Sequence, residues 1–314
     1  MTRTAAFDCG TNSLRLLIAD IDEDGTMTEV DRRMRIVRLG QGVDRTGAFH
    51  PDALERTFAV CDEYAEIIAQ HAPQRQRFVA TSASRDVSNR DAFVDGIRAR
   101  LGLEPEVIDG EEEARLSFLG ATAGVPDAAA PQLVMDLGGG STELILGGAG
   151  TDSAYSMNIG CVRLFERHLA TDPPTDAQIA ALRADVDDAF SEAAQHVDVS
   201  AARTLVGVAG TITTVAAAAL DLDRYDRDRI HGASLSPAQI AQTAQRLVSM
   251  PSAQRAELPY MHPGRVDVIA AGSLVFARLV ELIDDAVTRA GGRLDIRVSE
   301  SDILDGIALG LART

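Results

Sequence analysis

A two-domain α/β fold is predicted by three features of this sequence. A short phrase occurs twice, as FDCGTNS at residues 7–13 and as MDLGGGS at residues 135–141. Each copy lies between two apolar strands, and each is followed by alternating strands and helices. A stretch rich in Ala, Gly and Pro at residues 124–131 lies between the elements that follow the first copy and the start of the second copy. Such a stretch is typical of a hinge. Internal repetition of this kind indicates two related α/β domains around a cleft.

The elements of the first half follow from apolar periodicity and from helix-ending signals. Apolar residues three or four positions apart predict helices, and short apolar runs bounded by turn residues predict strands. In one such helix Leu54, Phe58 and Cys61 share a face, and Pro73 ends the pattern. The predicted strands are 4–8, 14–20, 35–39, 77–81 and 105–108, and the predicted helices are 51–72, 91–101 and 109–122.

The second half repeats this plan after the hinge. Its glycine phrase again joins two apolar strands, and a later apolar strand runs directly into a third glycine turn and a helix. The predicted strands are 132–136, 143–147, 151–158, 204–208 and 293–299. The predicted helices are 163–169, 176–197, 213–219, 236–250, 266–290 and 302–312.

Composition and charge restrict the classes of function. The net charge of −17 argues against a general nucleic-acid binder. All 30 basic residues are arginine, because the sequence contains no lysine. This excludes a Walker-type phosphate-loop lysine and Schiff-base chemistry, but not phosphate binding, since the arginine fork matches phosphate oxygens well.

Targeting and redox signals favour a reduced cytoplasmic protein. No apolar run is long enough for a membrane span, and the N-terminal segment lacks the apolar core of a signal peptide. The three cysteines and six histidines have no metal-ligand spacing, so we expect no zinc site.

The two glycine phrases are the leading candidates for a phosphate site. One such turn alone is usually structural, but two with matching register, each following an aspartate, point to a clamp for a metal-bound phosphate. Asp8 and Asp136 end the first strand of each copy, and Glu143 stands where the first copy has Arg15, a residue that is equally explained as a solvated strand position. Aspartate and glutamate oxygens suit Mg²⁺. The candidate phosphate-binding residues of the two turns are Gly10, Thr11, Asn12, Ser13, Gly138, Gly139, Gly140 and Ser141.

Three further elements offer groups for chemistry. The acidic run at residues 111–113 opens a helix, where acids commonly favour the helix dipole and Glu112 completes a capping box with Asp109, so the residues alone do not favour catalysis. The position of this acidic run just before the predicted hinge strengthens a catalytic interpretation. Arg85 follows a strand end rich in hydroxyls. Gly210 and Thr211 lie in the third glycine turn, whose helix N-terminus suits phosphate but is weak as an isolated motif.

Taken together, these motifs resemble the exopolyphosphatase/guanosine pentaphosphate phosphatase family of the actin–sugar kinase–heat-shock superfamily. The resemblance covers about residues 4–310, and its most specific part is the phrase EEAR at residues 112–115 followed by DLGGGSTE at residues 136–143. It implies two actin-like, ribonuclease H-like domains, the first formed by 1–124 plus 300–314 and the second by 125–299.

The resemblance also implies an activity and roles for individual residues. It implies Mg²⁺- or Mn²⁺-dependent release of terminal phosphate from inorganic polyphosphate or from guanosine pentaphosphate (pppGpp), a nucleotide of the stringent response. By match to the motif, Glu113 is the catalytic glutamate that activates water, Arg85 binds substrate, and Asp136 and Glu143 hold the metal. We expect Asp8, which ends the corresponding strand of the first copy, to assist them. Family relatives are often dimers, so a homodimer is a further expectation.

The sequence favours an exopolyphosphatase that prefers short chains, because it lacks the additional C-terminal domains of the longer family members. Three alternatives stay open at this point. The first is the same chemistry on pppGpp. The second is an ATP-using kinase or ATPase of the superfamily. The third is a polyphosphate or alarmone sensor that binds without cleaving, which the complete set of acids argues against.

Overall fold

The computed structural model describes residues 1–85, 87–148 and 150–313. The chain divides into two compact units, one formed by Met1–Gly120 with the C-terminal segment from Ile303, and the other by Ala121–Asp302. Each unit contains one five-stranded sheet. None of the helices in the described part of the chain is both long enough and apolar enough to span a bilayer.

Ten strands form the two sheets. In chain order they are β1 (Thr2–Cys9), β2 (Ser13–Ile21), β3 (Met27–Ile36), β4 (Arg75–Ala80), β5 (Glu106–Val107), β6 (Gln132–Leu137), β7 (Thr142–Gly147), β8 (Thr151–Met157), β9 (Thr204–Val208) and β10 (Asp295–Val298).

The described helices include three of only four or five residues, and three short 3₁₀ turns accompany them. In chain order the helices are α1 (Val43–Thr46), α2 (Pro51–His71), α3 (Arg90–Leu101), α4 (Gly110–Gly124), α5 (Cys161–His168), α6 (Asp176–Ala193), α7 (Ala209–Ala219), α8 (Arg227–Ile230), α9 (Pro237–Ser249), α10 (Ser252–Ala256), α11 (Ile269–Arg289) and α12 (Ile303–Arg313). The 3₁₀ turns are Ser82–Ser84, Val199–Ala201 and Pro263–Arg265.

The two sheets have the same topology. The strand order is β3-β2-β1-β4-β5 in the first sheet and β8-β7-β6-β9-β10 in the second. In each sheet the order therefore starts at the third strand of the unit and ends at its fifth. In both, the first three strands pair antiparallel and the last two join parallel to the first. Each unit by itself is therefore the actin-like α/β domain that the sequence predicts, and the predicted internal repeat is confirmed.

Both faces of the first sheet are covered. On one face Phe7 of β1 and Phe78 of β4 pack against Tyr64 of α2 and Phe93 of α3. On the other face α12 packs against β1, β2 and β4, and its residues Leu304 and Ile307 join Leu116 of α4 in a second apolar cluster. A sheet between two apolar layers is stabilised on both sides, so its strand ends are held in fixed positions.

The second unit has a single large apolar core. α11 runs through it and packs on α5, α6, α7 and α9. The three cysteines of the chain are all free and buried. Burial raises the pKa of the Cys9 and Cys161 thiols, so neither is a reactive thiolate, and the prediction of reduced cysteines is consistent with their environment.

Several predicted boundaries are wrong. The helix expected at 176–197 ends at Ala193, and the helix expected at 266–290 begins at Ile269. The strand expected at 35–39 is β3 at Met27–Ile36, an edge strand whose many charged residues hide the apolar alternation. The helices expected at 163–169 and 213–219 begin earlier, at Cys161 and Ala209. Helix α5 starts directly after Gly160, and α7 starts directly after β9, so the glycine turn expected at residues 209–210 is the first turn of α7.

Candidate functional site

The first glycine turn connects β1 to β2. The Gly10 N–H donates to the Ser13 carbonyl oxygen at 3.0 Å, which closes the turn. Asp8 pairs with Arg15 across the hairpin, and the Arg15 Nε and Nη2 atoms lie 2.8 and 2.7 Å from the same Asp8 oxygen, Oδ2. The charge of the Asp8 carboxylate is thus offset by a neighbouring guanidinium.

A segment after β3 holds this turn from behind. The Val37 and Arg38 N–H groups donate to the Asn12 carbonyl oxygen at 3.0 and 2.9 Å, and the Gly40 N–H donates to the Thr11 carbonyl oxygen at 2.8 Å. Because a trans peptide unit directs its C=O and N–H in opposite directions, the N–H groups that follow these carbonyls face away from the segment. The turn therefore presents backbone donors on its other side.

The predicted catalytic glutamate and the predicted substrate arginine lie together in the first unit. Glu113, only 6% exposed, forms an ion pair with Arg85. The Arg85 Nε also donates to the Ile108 carbonyl oxygen at 3.1 Å, which fixes the guanidinium. Arg85 follows the 3₁₀ turn Ser82–Ser84, and the Ser82 hydroxyl is 3.1 Å from the Thr11 hydroxyl. The Glu113–Arg85 ion pair is therefore connected to the first glycine turn through the contact between Ser82 and Thr11.

The neighbouring glutamate, Glu112, has different hydrogen-bond partners. The Asp109 side chain accepts from the Glu112 N–H at 2.9 Å, as predicted for the start of α4. The Glu112 carboxylate accepts hydrogen bonds from Arg115 and Arg77. The bond from Arg115, above all, holds the pKa of Glu112 below its usual range, so Glu112 is a poor proton acceptor.

The second glycine turn, between β6 and β7, repeats the geometry of the first. The Gly138 N–H donates to the Ser141 carbonyl oxygen at 3.0 Å. Asp136 pairs with Glu143 across the hairpin, so that two carboxylates replace the Asp–Arg pair of the first unit. Both are buried, at 7% and 1% exposure, and the Ser156 hydroxyl donates to Glu143 Oε1 at 2.7 Å.

The start of α5 holds the second turn as the segment after β3 holds the first. The Cys161 N–H donates to the Gly138 oxygen at 3.0 Å, and the Val162 and Arg163 N–H groups donate to the Gly139 oxygen at 2.9 and 3.1 Å. The Arg163 Nε donates to the Gly140 oxygen at 2.8 Å. With these carbonyls directed at α5, the N–H groups of residues 139–141 point away from it, an arrangement that suits an anion.

The residue before α5 has to be a glycine for reasons of space. A Cβ atom on Gly160 would lie 2.5 Å from the Gly139 oxygen and 2.7 Å from the Gly140 nitrogen. We expect Gly160→Ala to lower the free energy of unfolding by about 1–3 kcal/mol, because the turn has to move off α5. Chemical denaturation measures this. Gly148→Ala is the control, since nothing lies within 4 Å of its added Cβ, and equal losses in both variants would contradict the packing explanation.

The paired carboxylates fit a hard divalent cation. Directly opposed residues of a hairpin share a face, so the oxygens of Asp136 and Glu143 lie near one another. In residues 1–85, 87–148 and 150–313 no three Asp, Glu, His or Cys side chains come close enough to form a metal cluster. A cation here would take one or two carboxylates from the protein and its other ligands from phosphate and water, which is the manner in which Mg²⁺ usually binds.

The third glycine element lies at the start of α7. Gly210 leaves room for the Arg265 guanidinium, whose Cζ would be 2.5 Å from an added Cβ, and Arg265 Nη1 donates to the Thr214 hydroxyl at 3.1 Å. A cation at a helix N-terminus opposes the helix dipole, and a bound anion would offset both. A Cβ atom on Gly272 of α11 would lie 2.6 Å from the Thr211 methyl and 3.0 Å from the Cys161 Cβ. Thus α7 and α5 meet at Gly272.

Sequence reasoning missed the groups that support the turns. Ser156, Gly160 and the segment at 37–40 have no motif of their own. The need for glycine at residue 160 depends on its contact with Gly139 and Gly140, which lie about twenty residues earlier in the chain. The side chains named as candidates in the first unit are brought together around the first turn and Arg85, and those in the second unit around the second turn and α5.

Comparisons with known proteins identify the family. Residues 17–294 match the Ppx/GppA phosphatase family. The chain is 49% identical over 321 aligned residues to Exopolyphosphatase 2 of Mycobacterium tuberculosis (strain H37Rv), covering 99% of both chains. It is also similar to the crystal structure of an exopolyphosphatase-like protein, with a TM-score of 0.95, 47% identity and coverage of 98% of this chain and 97% of the other.

A more distant solved structure agrees with this result. The Aquifex aeolicus member of the Ppx/GppA family matches with a TM-score of 0.79 and 30% identity, over 99% of this chain and 98% of the other. The likeness extends over nearly the whole chain. The chain therefore belongs to the Ppx/GppA phosphatase family.

Proposed function

We propose that this protein is an exopolyphosphatase, which hydrolyses the terminal phosphoanhydride bond of inorganic polyphosphate and releases orthophosphate. The observation that carries the proposal is the Glu113–Arg85 pair, joined to the first glycine turn through Ser82 and Thr11. It combines a buried carboxylate that can activate water with groups that suit phosphate. The resemblance to a relative named Exopolyphosphatase 2 supports the same substrate.

Each group has a role in this reaction. Arg85 and the outward N–H groups of the glycine turns bind phosphate oxygens, and Arg163 and Arg265 add positive charge to a chain with net charge −17. Glu113 orients water and takes its proton as the water oxygen bonds to the terminal phosphorus. The bridging P–O bond breaks, and the shortened polyphosphate leaves with the electron pair and receives a proton from solvent.

A divalent cation is part of the proposal. Asp136 and Glu143 would hold Mg²⁺ or Mn²⁺, with Asp8 as a helper, although Arg15 already pairs with Asp8. When bound, the cation would neutralise charge on the phosphate oxygens. The cross-strand carboxylates of Asp136 and Glu143 support a cation at this hairpin, because carboxylate oxygens are the ligands that Mg²⁺ takes from a protein.

The finer assignments belong to the same proposal. We infer a cytoplasmic enzyme that prefers short polyphosphate, binds neither nucleic acid nor membranes, and forms a homodimer. The alternative substrate is pppGpp, which would connect the enzyme to the stringent response. The Arg265–Gly210 arrangement at α7 is the observation that favours a phosphorylated nucleotide as a second candidate.

Phosphate release separates these functions. We expect the protein to release orthophosphate from tripolyphosphate faster than from long-chain polyphosphate, and only when Mg²⁺ or Mn²⁺ is present. Faster release of orthophosphate from pppGpp than from polyphosphate would identify pppGpp as the preferred substrate. Tight binding of polyphosphate without any release would overturn the hydrolase and indicate a sensor.

A further inference from the structure

Each glycine hairpin continues into a third strand, and in the second unit this strand adds a hydroxyl group to the site. Ser156 of β8 is the cross-strand partner of Glu143 of β7, which is in turn the partner of Asp136 of β6. Directly paired residues of neighbouring strands place their side chains on the same face of a sheet. Asp136, Glu143 and Ser156 therefore form a row across β6, β7 and β8.

The first unit has a corresponding row with different chemistry. There Asp8 of β1 pairs with Arg15 of β2, and Arg15 pairs with Met34 of β3. The Arg15 guanidinium binds the Asp8 carboxylate directly, and the Met34 thioether has no hydrogen atom to donate. Because Met34 occupies the same place in the repeated sheet as Ser156 does, the fold itself does not require a hydroxyl there. The serine accompanies the change from an arginine to a glutamate in the middle of the row.

The contact between Ser156 and Glu143 fixes a buried carboxylate. The Ser156 hydroxyl donates to Glu143 Oε1 at 2.7 Å, a length typical of a hydrogen bond to a charged oxygen. Glu143 is buried, and a hydrogen bond is stronger in such a low-dielectric environment than in water. The terminal torsion of a glutamate side chain is broad, and a donor on one oxygen narrows it. Since the β7–β8 ladder places Ser156 opposite Glu143, the sheet itself sets the orientation of this carboxylate.

We propose that Ser156 is a positioning residue of the cation site, which holds Glu143 Oε1 and so restricts how this carboxylate presents its oxygens to a divalent cation. The inference rests on the proposed function, which assigns the cation to Asp136 and Glu143, and adds to it a residue that no motif indicated. Ser156 acts through Glu143 and needs no contact of its own with the cation. Groups that orient a metal ligand in this way commonly change metal affinity about 10–100-fold when they are removed.

Mn²⁺ titration of the substrate-free protein tests this role without turnover. The electron paramagnetic resonance signal of free Mn²⁺ gives Kd, and we expect Ser156→Ala to raise it about tenfold. Ser156→Thr should stay within about threefold of the wild type, because threonine keeps the hydroxyl and suits a β-strand. In phosphate release from tripolyphosphate, Ser156→Ala should need about tenfold more Mn²⁺ for its half-maximal rate and should approach the wild-type rate when Mn²⁺ is saturating.

Ser153→Ala is the matched control. It makes the same substitution in β8, but Ser153 pairs with Leu146 and lies on the opposite face of the sheet. Its Kd for Mn²⁺ should stay within about twofold of the wild type. An unchanged Kd in Ser156→Ala, or an equal rise in Ser156→Thr, would overturn the inference, while Mn²⁺ binding and phosphate release by the wild type would leave the proposed function intact. Wild-type protein that releases phosphate but binds no Mn²⁺ would overturn both the inference and the proposed cation site.

Discussion

Glu113→Gln is expected to lower kcat for polyphosphate about a thousandfold, within the range of about 10²–10⁴ for loss of a general base. The amide keeps the shape of the side chain but cannot accept the proton of the attacking water. Because Arg85 and the glycine turns remain, substrate affinity should change little. Steady-state phosphate release gives kcat, and equilibrium binding of tripolyphosphate gives the affinity.

Glu112→Gln is the matched control for this variant. It lies in the same first turn of α4 and makes the same change of charge, but the Glu112 carboxylate is engaged by Arg115 and Arg77. We expect its kcat to stay within about threefold of the wild type, as for a residue outside the chemistry. If Glu113→Gln retained a tenth of the activity, or lost binding and melting temperature together, Glu113 would be a structural partner of Arg85 and not the base.

The contrast between these two glutamates shows where sequence reasoning stops. The run at residues 111–113 has three acids at a helix start, and composition does not distinguish them. The structure does, because Glu113 is buried against Arg85 while Glu112 binds two other arginines. Before the structure, only the resemblance to a family distinguished Glu113 from its two neighbours, since the arginine that meets it follows a 3₁₀ turn 28 residues earlier.

The glycine turns could be predicted from the sequence because each is formed by residues that are adjacent in the chain. Each turn consists of consecutive residues, and both copies form the same Gly-to-Ser hydrogen bond with the same register. The hydrogen bonds that hold the two turns could not be predicted. Their donors are backbone N–H groups of residues 37–40 and 161–163, which do not depend on the side chain. The same limitation explains the misplaced third strand, whose charged edge position gives no apolar period.

Gly306→Ala is expected to have the largest effect on stability. A Cβ atom on Gly306 of α12 would overlap the Leu116 carbonyl oxygen of α4 and lie 2.8 Å from the carbonyl carbon and 3.2 Å from the Gly120 nitrogen. Backbone cannot move aside as a flexible side chain does, so the two helices must separate. We expect the free energy of unfolding to fall by about 3 kcal/mol, the upper part of the range for overpacked cores.

Gly310→Ala isolates this clash from the intrinsic effect of alanine. Gly310 lies one turn later in the same helix, and its added Cβ would meet only the Leu116 side chain at an ordinary 3.9 Å. Both substitutions gain about 0.5–1 kcal/mol of helix stability, so Gly310→Ala should be neutral or stabilising while Gly306→Ala is not. Chemical denaturation of the two variants measures the difference, and similar values would show that α4 and α12 tolerate a wider spacing.

The same pair of variants also tests how the fold positions Glu113, the proposed catalytic base. Leu116 lies one helical turn after Glu113 in α4, so a displacement of Leu116 by α12 is carried to Glu113 through a rigid helix. At a temperature where both variants are folded, Gly306→Ala should therefore lose kcat, whereas Gly310→Ala should keep it. Full activity in folded Gly306→Ala would mean that Arg85 alone holds Glu113 in place and that the C-terminal helix contributes only stability.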